Sequence, residues 1–463
     1  MFLEIEKKDK SKIALVDSSL KKITYGELIK IILEIARVIP KRSVVFILCK
    51  NCVEAAAVYL AALSNKVVPL MINAAADKSV LEKLFKTYMP AFIWKPVESV
   101  SDSDNVIFRI HSYALIDCRC EKYELYDDLA LLLSTSGSTG SPKLVRHSYM
   151  NLEVNARNIA GFFHIKDTDK PMLDLPIHYT YGLSVLNSHI FAGTTVALTD
   201  FSLMQKEYWE FFKAEEATSI TGVPYTFEML KRFRIFRMEL PSLELLSQGG
   251  GKLNEDLQKE YAQFANDTNR RFIITYGQTE GSARMAYLPP EDAITKIGSI
   301  GKPFPGEKLY IVNDQGEPVE EPGEIGELVC EGKNVTLGYA ESRQDLMRGD
   351  DRKGVLYTGD MAKKDSDGYL YIVGRKKRFL KIFGNRIGLD ECEQLISEKF
   401  DLECACTGTD NEMCIYINKD NFQHKVKEFI SHRTQINAIA FKVYFVKSLP
   451  RNEAGKIIYG DLK

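Results

Sequence analysis

The chain has 463 residues, of which 45% are apolar and 27% charged, and its formal net charge is −2. This composition is typical of a soluble globular protein of about two to four domains, and the near-neutral charge gives no reason to expect nucleic acid or an anionic membrane as a partner. Nine cysteines without the spacing of a zinc site are expected to be reduced thiols. No signal peptide and no membrane-length apolar run is recognisable, so we expect a cytoplasmic protein.

The first third of the chain alternates predicted strands and helices. The predicted strands are Ile13–Asp17, Val44–Leu48 and Val67–Met71, and the predicted helices begin near Leu28 and cover Val53–Leu63 and Ser79–Tyr88. This alternation predicts layers of helices on largely parallel sheets, which is the α/β class. No residue pattern in this third points to chemistry, so we interpret it as scaffold.

A segment rich in serine, threonine and glycine follows the apolar strand Leu131–Leu133. Glycines let backbone N–H groups approach an anion, and hydroxyls with a lysine add donors and positive charge. It is not a Walker A loop, because Pro142 precedes the lysine and a second predicted strand follows. A solvated turn is the alternative, but we interpret the segment as a phosphate-binding loop between two strands. Its candidate ligand-binding residues are Thr135, Ser136, Gly137, Ser138, Thr139, Gly140 and Lys143.

An aromatic turn follows the next predicted strand end. Tyr179, Thr180 and Tyr181 stand just before Gly182, and Tyr225 opens a predicted helix after another strand. Aromatic side chains at strand ends suit the wall of a pocket for an apolar or aromatic group. Taken alone, core packing is the better interpretation of this turn.

Three consecutive glycines, Gly249, Gly250 and Gly251, follow the predicted strand Leu245–Gln248. Without side chains they allow a flat ligand to lie against bare backbone. A flexible linker is the alternative, although a triplet is short for one.

The segment Tyr276-Gly277-Gln278-Thr279-Glu280 follows the predicted strand Arg271–Thr275. Ligands of open α/β sheets bind at the carboxyl ends of the strands. An aromatic ring, a hydroxyl and a carboxylate at such an end suit stacking on a base, binding of a phosphate and binding of Mg²⁺.

From about residue 298 the pattern changes to short strands and turns, which predicts a β-rich subdomain over 298–374. A hairpin is predicted around Asp367-Gly368. The basic tract that follows, Arg375 to Arg378, is a plausible hinge, and a solvated basic turn is the alternative. The last polar turn of the chain carries Lys456.

Five segments agree in type, order and spacing with the adenylate-forming superfamily of acyl- and aryl-CoA synthetases, luciferases and peptide-synthetase adenylation domains. They are residues 135–143, 176–182, 276–280, 357–375 and 450–456, so the resemblance covers nearly the whole chain. It implies an N-terminal ATP- and acid-binding domain, 1–374, of layered α/β sheets with the β-rich subdomain. A small mobile α+β domain, 375–463, would follow.

The resemblance implies a role for each motif residue. The phosphate loop, with Lys143, would wrap the β- and γ-phosphates of ATP, and the glycines 249–251 would line the adenine with Tyr276, beside Gly277, stacked on it. Thr279 would bind the α-phosphate, Glu280 would hold Mg²⁺, and Asp360 with Arg375 would bind the ribose.

The same resemblance implies that Lys456 bridges the carboxylate and the α-phosphate during adenylation. Lys377 matches the hinge position at which the small domain turns. That rotation would remove Lys456 and present the loop around Lys381 for the transfer of the acyl group to a thiol.

The motifs say less about which acid is activated and which thiol accepts the acyl group. Amino-acid-activating relatives carry Asp after the gating aromatic residue, Tyr179, and this chain has Thr180 there. We therefore expect a neutral-tailed carboxylic acid, with Tyr181 and Tyr225 lining its pocket. Coenzyme A is the expected acceptor, and the phosphopantetheine arm of an acyl carrier protein is the alternative, because a basic tract suits an acidic carrier surface.

An inactive, regulatory nucleotide-binding relative is the alternative of another class. The presence of Lys456 argues against it, because a module that only binds a nucleotide has no need of that lysine.

Overall fold

The computed structural model describes residues 1–134, 143–376, 378–382, 385–409, 411–434, 436–452 and 455–462. The chain forms two compact units: Met1–Lys308 with Cys330–Leu356, and Leu309–Val329 with Tyr357–Lys463. The predicted domain boundary at 374/375 stays a prediction. No helix in the described part of the chain is long and apolar enough to cross a membrane.

The helices and most strands of the first unit alternate along the chain. The helices are α1 (Tyr25–Val38), α2 (Val53–Ser64), α3 (Lys78–Tyr88), α4 (Tyr149–Phe162), α5 (Thr180–Ala192), α6 (Lys206–Ala214), α7 (Pro224–Arg232) and α8 (Glu255–Asp267). The strands up to residue 340 are β1 (Ile13–Asp17), β2 (Lys22–Thr24), β3 (Val44–Cys49), β4 (Val68–Asn73), β5 (Phe92–Pro96), β6 (Val106–Ile110), β7 (Tyr113–Asp117), β8 (Leu129–Ser134), β9 (Leu144–Ser148), β10 (Pro171–Leu173), β11 (Val196–Leu198), β12 (Ser219–Gly222), β13 (Leu245–Gln248), β14 (Arg271–Tyr276), β15 (Ala286–Leu288), β16 (Lys302–Pro303), β17 (Lys308–Val312), β18 (Gly326–Glu331) and β19 (Gly338–Ala340).

Two large sheets carry the first unit. One has eight strands in the order β19-β9-β8-β4-β3-β5-β7-β6, and the other has nine in the order β16-β15-β14-β13-β12-β10-β11-β1-β2. Their largest shared core combines apolar residues of β3 and β8, of β1 and β11, and of α1, α2 and α5. Helix α2 is buried almost throughout and largely apolar apart from Glu54, which pairs with Lys21, as is typical of a helix enclosed between layers. The α/β class is therefore confirmed.

The central strands of both sheets are parallel, but their edges are not. In the nine-stranded sheet, β1, β11, β10, β12, β13 and β14 run parallel, whereas β15 is antiparallel to β14. In the eight-stranded sheet, β7 pairs antiparallel with β5 on one side and with β6 on the other. The parallel order puts the ends of β13 and β14 side by side, which positions the residues that follow them.

The second unit is smaller and has its own core. Its remaining elements are β20 (Val355–Lys364), β21 (Leu370–Arg375), β22 (Phe379–Ile382), β23 (Asn385–Gly388), α9 (Leu389–Phe400), β24 (Cys404–Thr409), β25 (Glu412–Ile417), α10 (Gln423–Thr434) and β26 (Phe441–Phe445). Strands β17, β18, β20 and β21 form a four-stranded sheet, and β24, β25 and β26 form a three-stranded one. The hairpin predicted at Asp367-Gly368 is confirmed between β20 and β21. Helices α9 and α10 pack on the three-stranded sheet.

The prediction of reduced cysteines is confirmed, since all nine cysteines are free thiols. All nine are buried or half-buried. Burial raises the pKa of Cys330 and of Cys392 to about 12.

A buried arginine joins β9 to the segment around β19. Arg146 is fully buried, and its Nε donates to the Tyr339 carbonyl at 3.1 Å. Nη1 donates to the carbonyl of Gly349 at 3.2 Å, and Nη2 to that of Leu337 at 3.2 Å. Nη2 also lies 2.5 Å from Asp351 Oδ2, so the charge is paired and every nitrogen has an acceptor.

We expect Arg146→Met to lower the free energy of unfolding by about 3–5 kcal/mol, because it leaves buried carbonyls and a carboxylate without their donor. The midpoint of the first urea-induced unfolding transition measures this. Lys206→Met is the control, because its ion pair with Glu210 is exposed and its loss is expected to leave the unfolding midpoint nearly unchanged. Equal midpoints for the two variants would contradict the role given to Arg146.

Candidate active site

The predicted phosphate loop joins two adjacent antiparallel strands. The pairing of β8 with β9 runs from Leu129 opposite Ser148 to Ser134 opposite Leu144, so the chain leaves the sheet and returns to it at one point. This confirms the two strands that were predicted on either side of the segment. Residues 135–142, with the candidates Thr135, Ser136, Gly137, Ser138, Thr139 and Gly140, lie outside the described residues.

Lys143, the last residue of this loop, lies against Tyr339. Its Nζ is 3.8 Å from the centroid of the Tyr339 ring and 3.8 Å from Glu341 Oε1. A lysine over a tyrosine face gains a cation–π attraction. The contact holds the lysine where β9 begins.

Tyr339 also contacts the predicted Mg²⁺ ligand. Its hydroxyl donates to Glu280 Oε1 at 2.7 Å, and the Arg352 guanidinium lies 4.7 Å from its ring centroid. Burial first, and then the negative charge of Glu280, raise the pKa of Tyr339 to about 12. The hydroxyl therefore remains a proton donor at neutral pH. Tyr339 brings Lys143 and Glu280 together, and sequence reasoning did not single it out.

The turn after β14 holds Thr279 and Glu280. It begins at Tyr276, the half-buried last residue of β14, and residues Thr279–Gly281 form one 3₁₀ turn. The Glu280 carbonyl accepts from the Thr336 backbone N–H at 3.0 Å and from its hydroxyl at 2.9 Å. The backbone of Glu280 is thus fixed by a strongly buried threonine, which leaves its carboxylate oriented by Tyr339.

The same turn folds back tightly at Gly277. A Cβ at this position would lie 1.6 Å from the Ala283 carbonyl oxygen, so only glycine fits. Two residues without that freedom, Ser282 and Ala283, adopt left-handed backbone angles with φ of 57° and 84°. Strain of this kind persists only where the surroundings enforce it, and it concentrates at functional sites.

The glycine triplet continues β13 as bare backbone. The Gly249 N–H donates to the Gly222 carbonyl at 3.0 Å, so the parallel ladder extends by one residue. A Cβ at Gly249 would lie 2.5 Å from Thr275 Oγ1 and 2.7 Å from the Tyr181 hydroxyl. Gly250 has a φ of 77°. The predicted glycine wall and the predicted aromatic turn therefore meet at Tyr181.

The remaining residues of the aromatic turn begin α5. Tyr179 precedes the helix, Thr180 is its first residue, and the His178 and Tyr179 rings are 4.4 Å apart. Tyr225 is half-buried in the first turn of α7. Their roles in an acid pocket stay predictions.

Arg284 is a second residue that sequence reasoning missed. It lies four residues after Glu280, and its guanidinium is 4.9 Å from the Phe163 ring centroid and 5.0 Å from that of Tyr181. The available signal was an arginine at the edge of the apolar segment Met285–Leu288.

In the second unit, Asp360 and Arg375 form an ion pair. They stand opposite each other in the pairing of β20 with β21, and Arg375 Nε lies 3.0 Å from Asp360 Oδ1. The aspartate side chain is 6% exposed and that of the arginine 61%. The structure thus joins two residues predicted to act together.

Basic residues that follow β21 form ion pairs with acidic residues of the second unit itself. Lys376 Nζ lies 2.7 Å from Glu327 Oε2, and the predicted hinge Lys377 lies outside the described residues. Arg378 donates to Glu393 Oε1 at 2.7 Å and to Asp390, and it stacks 3.8 Å from the Tyr459 ring centroid. Its charge is therefore neutralised internally.

The second unit contains the two lysines that are predicted to act in the two half-reactions, Lys381 and Lys456. Lys381 stands opposite Arg386 in the β22–β23 pairing, and its side chain is not among the described parts. Lys456 is exposed in a turn. Its backbone N–H donates to Asn452 Oδ1 at 2.9 Å, and its carbonyl accepts from the Asn452 N–H at 2.8 Å.

Comparisons with known proteins agree on one family. A family model described as AMP-binding enzyme matches residues 3–340. A 2-succinylbenzoate–CoA ligase of Geobacillus kaustophilus is 30% identical over 73% of this chain and 69% of the relative. An oxalate–CoA ligase of Arabidopsis thaliana is 28% identical over 78% and 70%.

The fold is also similar to that of a solved structure. The o-succinylbenzoate coenzyme A synthetase of Bacillus subtilis, in complex with ATP and a magnesium ion, superposes with a TM-score of 0.75. The identity is 23%, and the match covers 97% of this chain and 96% of the other.

We expect Gly277→Ala to lower the free energy of unfolding by about 2–3 kcal/mol, because the methyl group collides with the Ala283 carbonyl and displaces the turn. Thermal unfolding measures this. Gly161→Ala is the matched control, because a Cβ at Gly161 has nothing within 4 Å. Alanine near the end of α4 is expected to raise stability by about 0.5–1 kcal/mol. A stable Gly277→Ala variant would contradict the tight turn.

Proposed function

Because this chain belongs to the AMP-binding enzyme family, we propose that it activates a carboxylic acid with ATP and transfers the acyl group to coenzyme A. A carboxylate oxygen attacks the α-phosphorus, the bond from that phosphorus to the β-phosphate bridging oxygen breaks, and pyrophosphate leaves. The thiol sulfur of coenzyme A then attacks the acyl carbon, the thiol proton is released, and AMP leaves. The chain is thus an AMP-forming acid–thiol ligase.

One observation carries the proposal that the protein binds ATP. The Tyr339 hydroxyl lies 2.7 Å from Glu280 Oε1, and the Lys143 Nζ lies 3.8 Å from the centroid of the Tyr339 ring. A positive charge beside the end of a phosphate loop and an oriented carboxylate are what a metal-bound triphosphate requires. Both are located where loops leave the strands of α/β sheets, the usual place for a ligand.

The Glu280 carboxylate fits a magnesium ion. Among the described residues there is no group of three or more histidine, cysteine or acidic side chains that holds a metal alone. Mg²⁺ commonly uses one or two carboxylates and completes its shell with substrate phosphates and water. When bound, it neutralises charge that develops on the phosphates. Glu280 would supply the protein ligand, and Tyr339 would orient it.

The adenylation step brings two anions together, so its need is for positive charge and alignment rather than for an acid or a base. We assign that charge to Lys456 and Lys143, and the binding of the ribose to Asp360 with Arg375. Thr279 is assigned to the α-phosphate. Gly249 to Gly251, with Tyr276 next to Gly277, are assigned to the adenine, and these assignments rest on the motif resemblance.

Coenzyme A is the acceptor favoured by the relatives, which are named as CoA ligases. A carrier protein stays the alternative, but the basic tract now gives it less support. The Arg378 charge is paired with Glu393 and Asp390, so it is not available to an acidic carrier surface. Lys381 and the hinge Lys377 keep their predicted roles in the transfer step, and a cytoplasmic location stays a prediction.

The direct test is acid-dependent ATP–pyrophosphate exchange with Mg²⁺ and without a thiol, across a panel of carboxylic acids. Coenzyme A and a phosphopantetheine-bearing carrier protein are then offered separately. Thioester formation with coenzyme A supports the proposal. Transfer of the acyl group to the carrier protein alone would show that the carrier, and not coenzyme A, is the acceptor. A protein that binds ATP but supports no exchange with any acid would be an inactive relative.

We expect Lys456→Ala to slow adenylation roughly 10²–10³-fold, because one charged donor is lost where negative charge develops. Binding of ATP, measured by calorimetry, is expected to change little. Lys447→Ala is the matched control, because Lys447 is an exposed lysine of the same unit. If Lys456→Ala and Lys447→Ala exchange pyrophosphate at the wild-type rate, Lys456 has no part in adenylation.

We expect Tyr339→Phe to raise the Mg²⁺ concentration needed for half-maximal exchange roughly 10–100-fold, because the partner that orients Glu280 is removed. Tyr261→Phe serves as the control. Its hydroxyl donates to the Phe227 carbonyl at 2.7 Å, so it loses a buried hydrogen bond without touching Glu280. An unchanged Mg²⁺ dependence in Tyr339→Phe would remove Tyr339 from the metal site.

A further inference from the structure

Among the described residues, no carboxylate pairs with the positive charge of Arg284. The residue is 2% exposed, and its Nε has no hydrogen-bond partner among the described residues. It forms no ion pair within that part of the chain. A guanidinium stays protonated in proteins, so an uncompensated charge is buried here, which is strongly unfavourable.

Arg146, another buried arginine of the same unit, shows how a structural arginine is paired, and Arg284 is not paired in this way. Arg146 donates from Nε to the Tyr339 carbonyl, from Nη1 to that of Gly349, and from Nη2 to Asp351. Native proteins pair buried polar groups in this way. Arg284 instead has aromatic rings around it and an unpaired nitrogen.

The charge lies beside the predicted acid pocket. Its ring neighbour Tyr181 meets Gly249, where a Cβ would lie 2.7 Å from the tyrosine hydroxyl. That hydroxyl and Ser247 Oγ are also buried without a partner among the described residues. Ser247 stands two residues before Gly249 and so shares its face of the sheet. Arg284, Tyr181 and Ser247 thus each have a buried polar atom without a partner among the described residues, and Tyr181 contacts the Arg284 guanidinium with its ring and approaches the end of β13 with its hydroxyl.

We propose that the acid substrate is a dicarboxylic acid and that its second carboxylate binds Arg284. This inference rests on the proposed function, and it replaces the neutral tail expected from Thr180. The planar guanidinium matches a carboxylate with two parallel hydrogen bonds. One carboxylate of the substrate reacts with ATP, while the other does not react and neutralises the buried charge. The hydroxyls of Tyr181 and Ser247 supply further donors.

The test compares acids in matched pairs in which a methyl group replaces one carboxylate: succinate with butyrate, glutarate with pentanoate, and phthalate with 2-methylbenzoate. The readout is kcat/KM for ATP–pyrophosphate exchange. For the pair that fits the pocket, we expect the wild-type protein to prefer the dicarboxylic acid by roughly 10²-fold or more, because a buried polar group rejects an analogue that leaves it unpaired.

Arg284→Met is expected to lower kcat/KM for the dicarboxylic acid roughly 10²–10³-fold and to leave the monocarboxylic acid within about threefold. Arg270→Met is the matched control. Its guanidinium also lies over an aromatic ring, 5.3 Å from the Phe264 centroid, but it donates to the carbonyls of Leu243 and Leu240. It is expected to leave the ratio of the two acids unchanged.

A wild-type preference for the monocarboxylic acids would overturn the inference, and this result does not depend on whether a variant folds. An equal loss for both acids of a pair in Arg284→Met would also overturn it and would place Arg284 at the reacting carboxylate. Exchange with none of the acids, in a protein that binds ATP, would instead overturn the proposed function and the inference with it.

Discussion

The candidate site depends on the contacts that hold the segment around Tyr339 to β9. Arg146 gives its hydrogen bonds to the backbone of this segment and its charge to Asp351. The pairing of β19 with β9 adds a ladder at the edge of the sheet. These interactions join residues nearly two hundred positions apart in sequence. Because of them, one tyrosine is placed against both a lysine of the predicted phosphate loop and a glutamate that follows β14.

Local patterns predicted the scaffold well. The strands Ile13–Asp17 and Leu245–Gln248 have the predicted bounds, and the helix that follows the second strand of the loop, α4, begins with Ser148 as its N-cap. In these segments apolar periodicity and a cap residue agree with the buried environment, so no tertiary effect overrides them. The antiparallel pairing of β5, β7 and β6 was not predicted. Residues 97–105 separate β5 from β6, and β5 pairs with β7 rather than with the next strand along the chain, so local patterns do not indicate which strands pair.

The candidate site was predictable only where its residues follow one another in a motif. Glu280 and Asp360 were named from such motifs, and the structure gives each a partner that fits its role. Tyr339 and Arg284 stand in no motif. Their importance comes from what they touch after folding, and a sequence does not state which ring meets a lysine or which arginine lacks a carboxylate. For the same reason, the sequence suggested that the basic tract with Arg378 meets an acidic carrier protein, whereas Arg378 pairs with Glu393 of its own chain.

The free cysteines of the fold have a consequence for the chemistry. An acyl-adenylate is a mixed anhydride that reacts readily with any nucleophile near it, and nine thiols share the chain with it. The reactive form of cysteine is the thiolate. Burial raises the pKa of Cys52, Cys118, Cys330 and Cys392 to about 12, so these sulfurs remain protonated at neutral pH. These four thiols are therefore weak nucleophiles and poor competitors of an acceptor thiol for an activated acyl group.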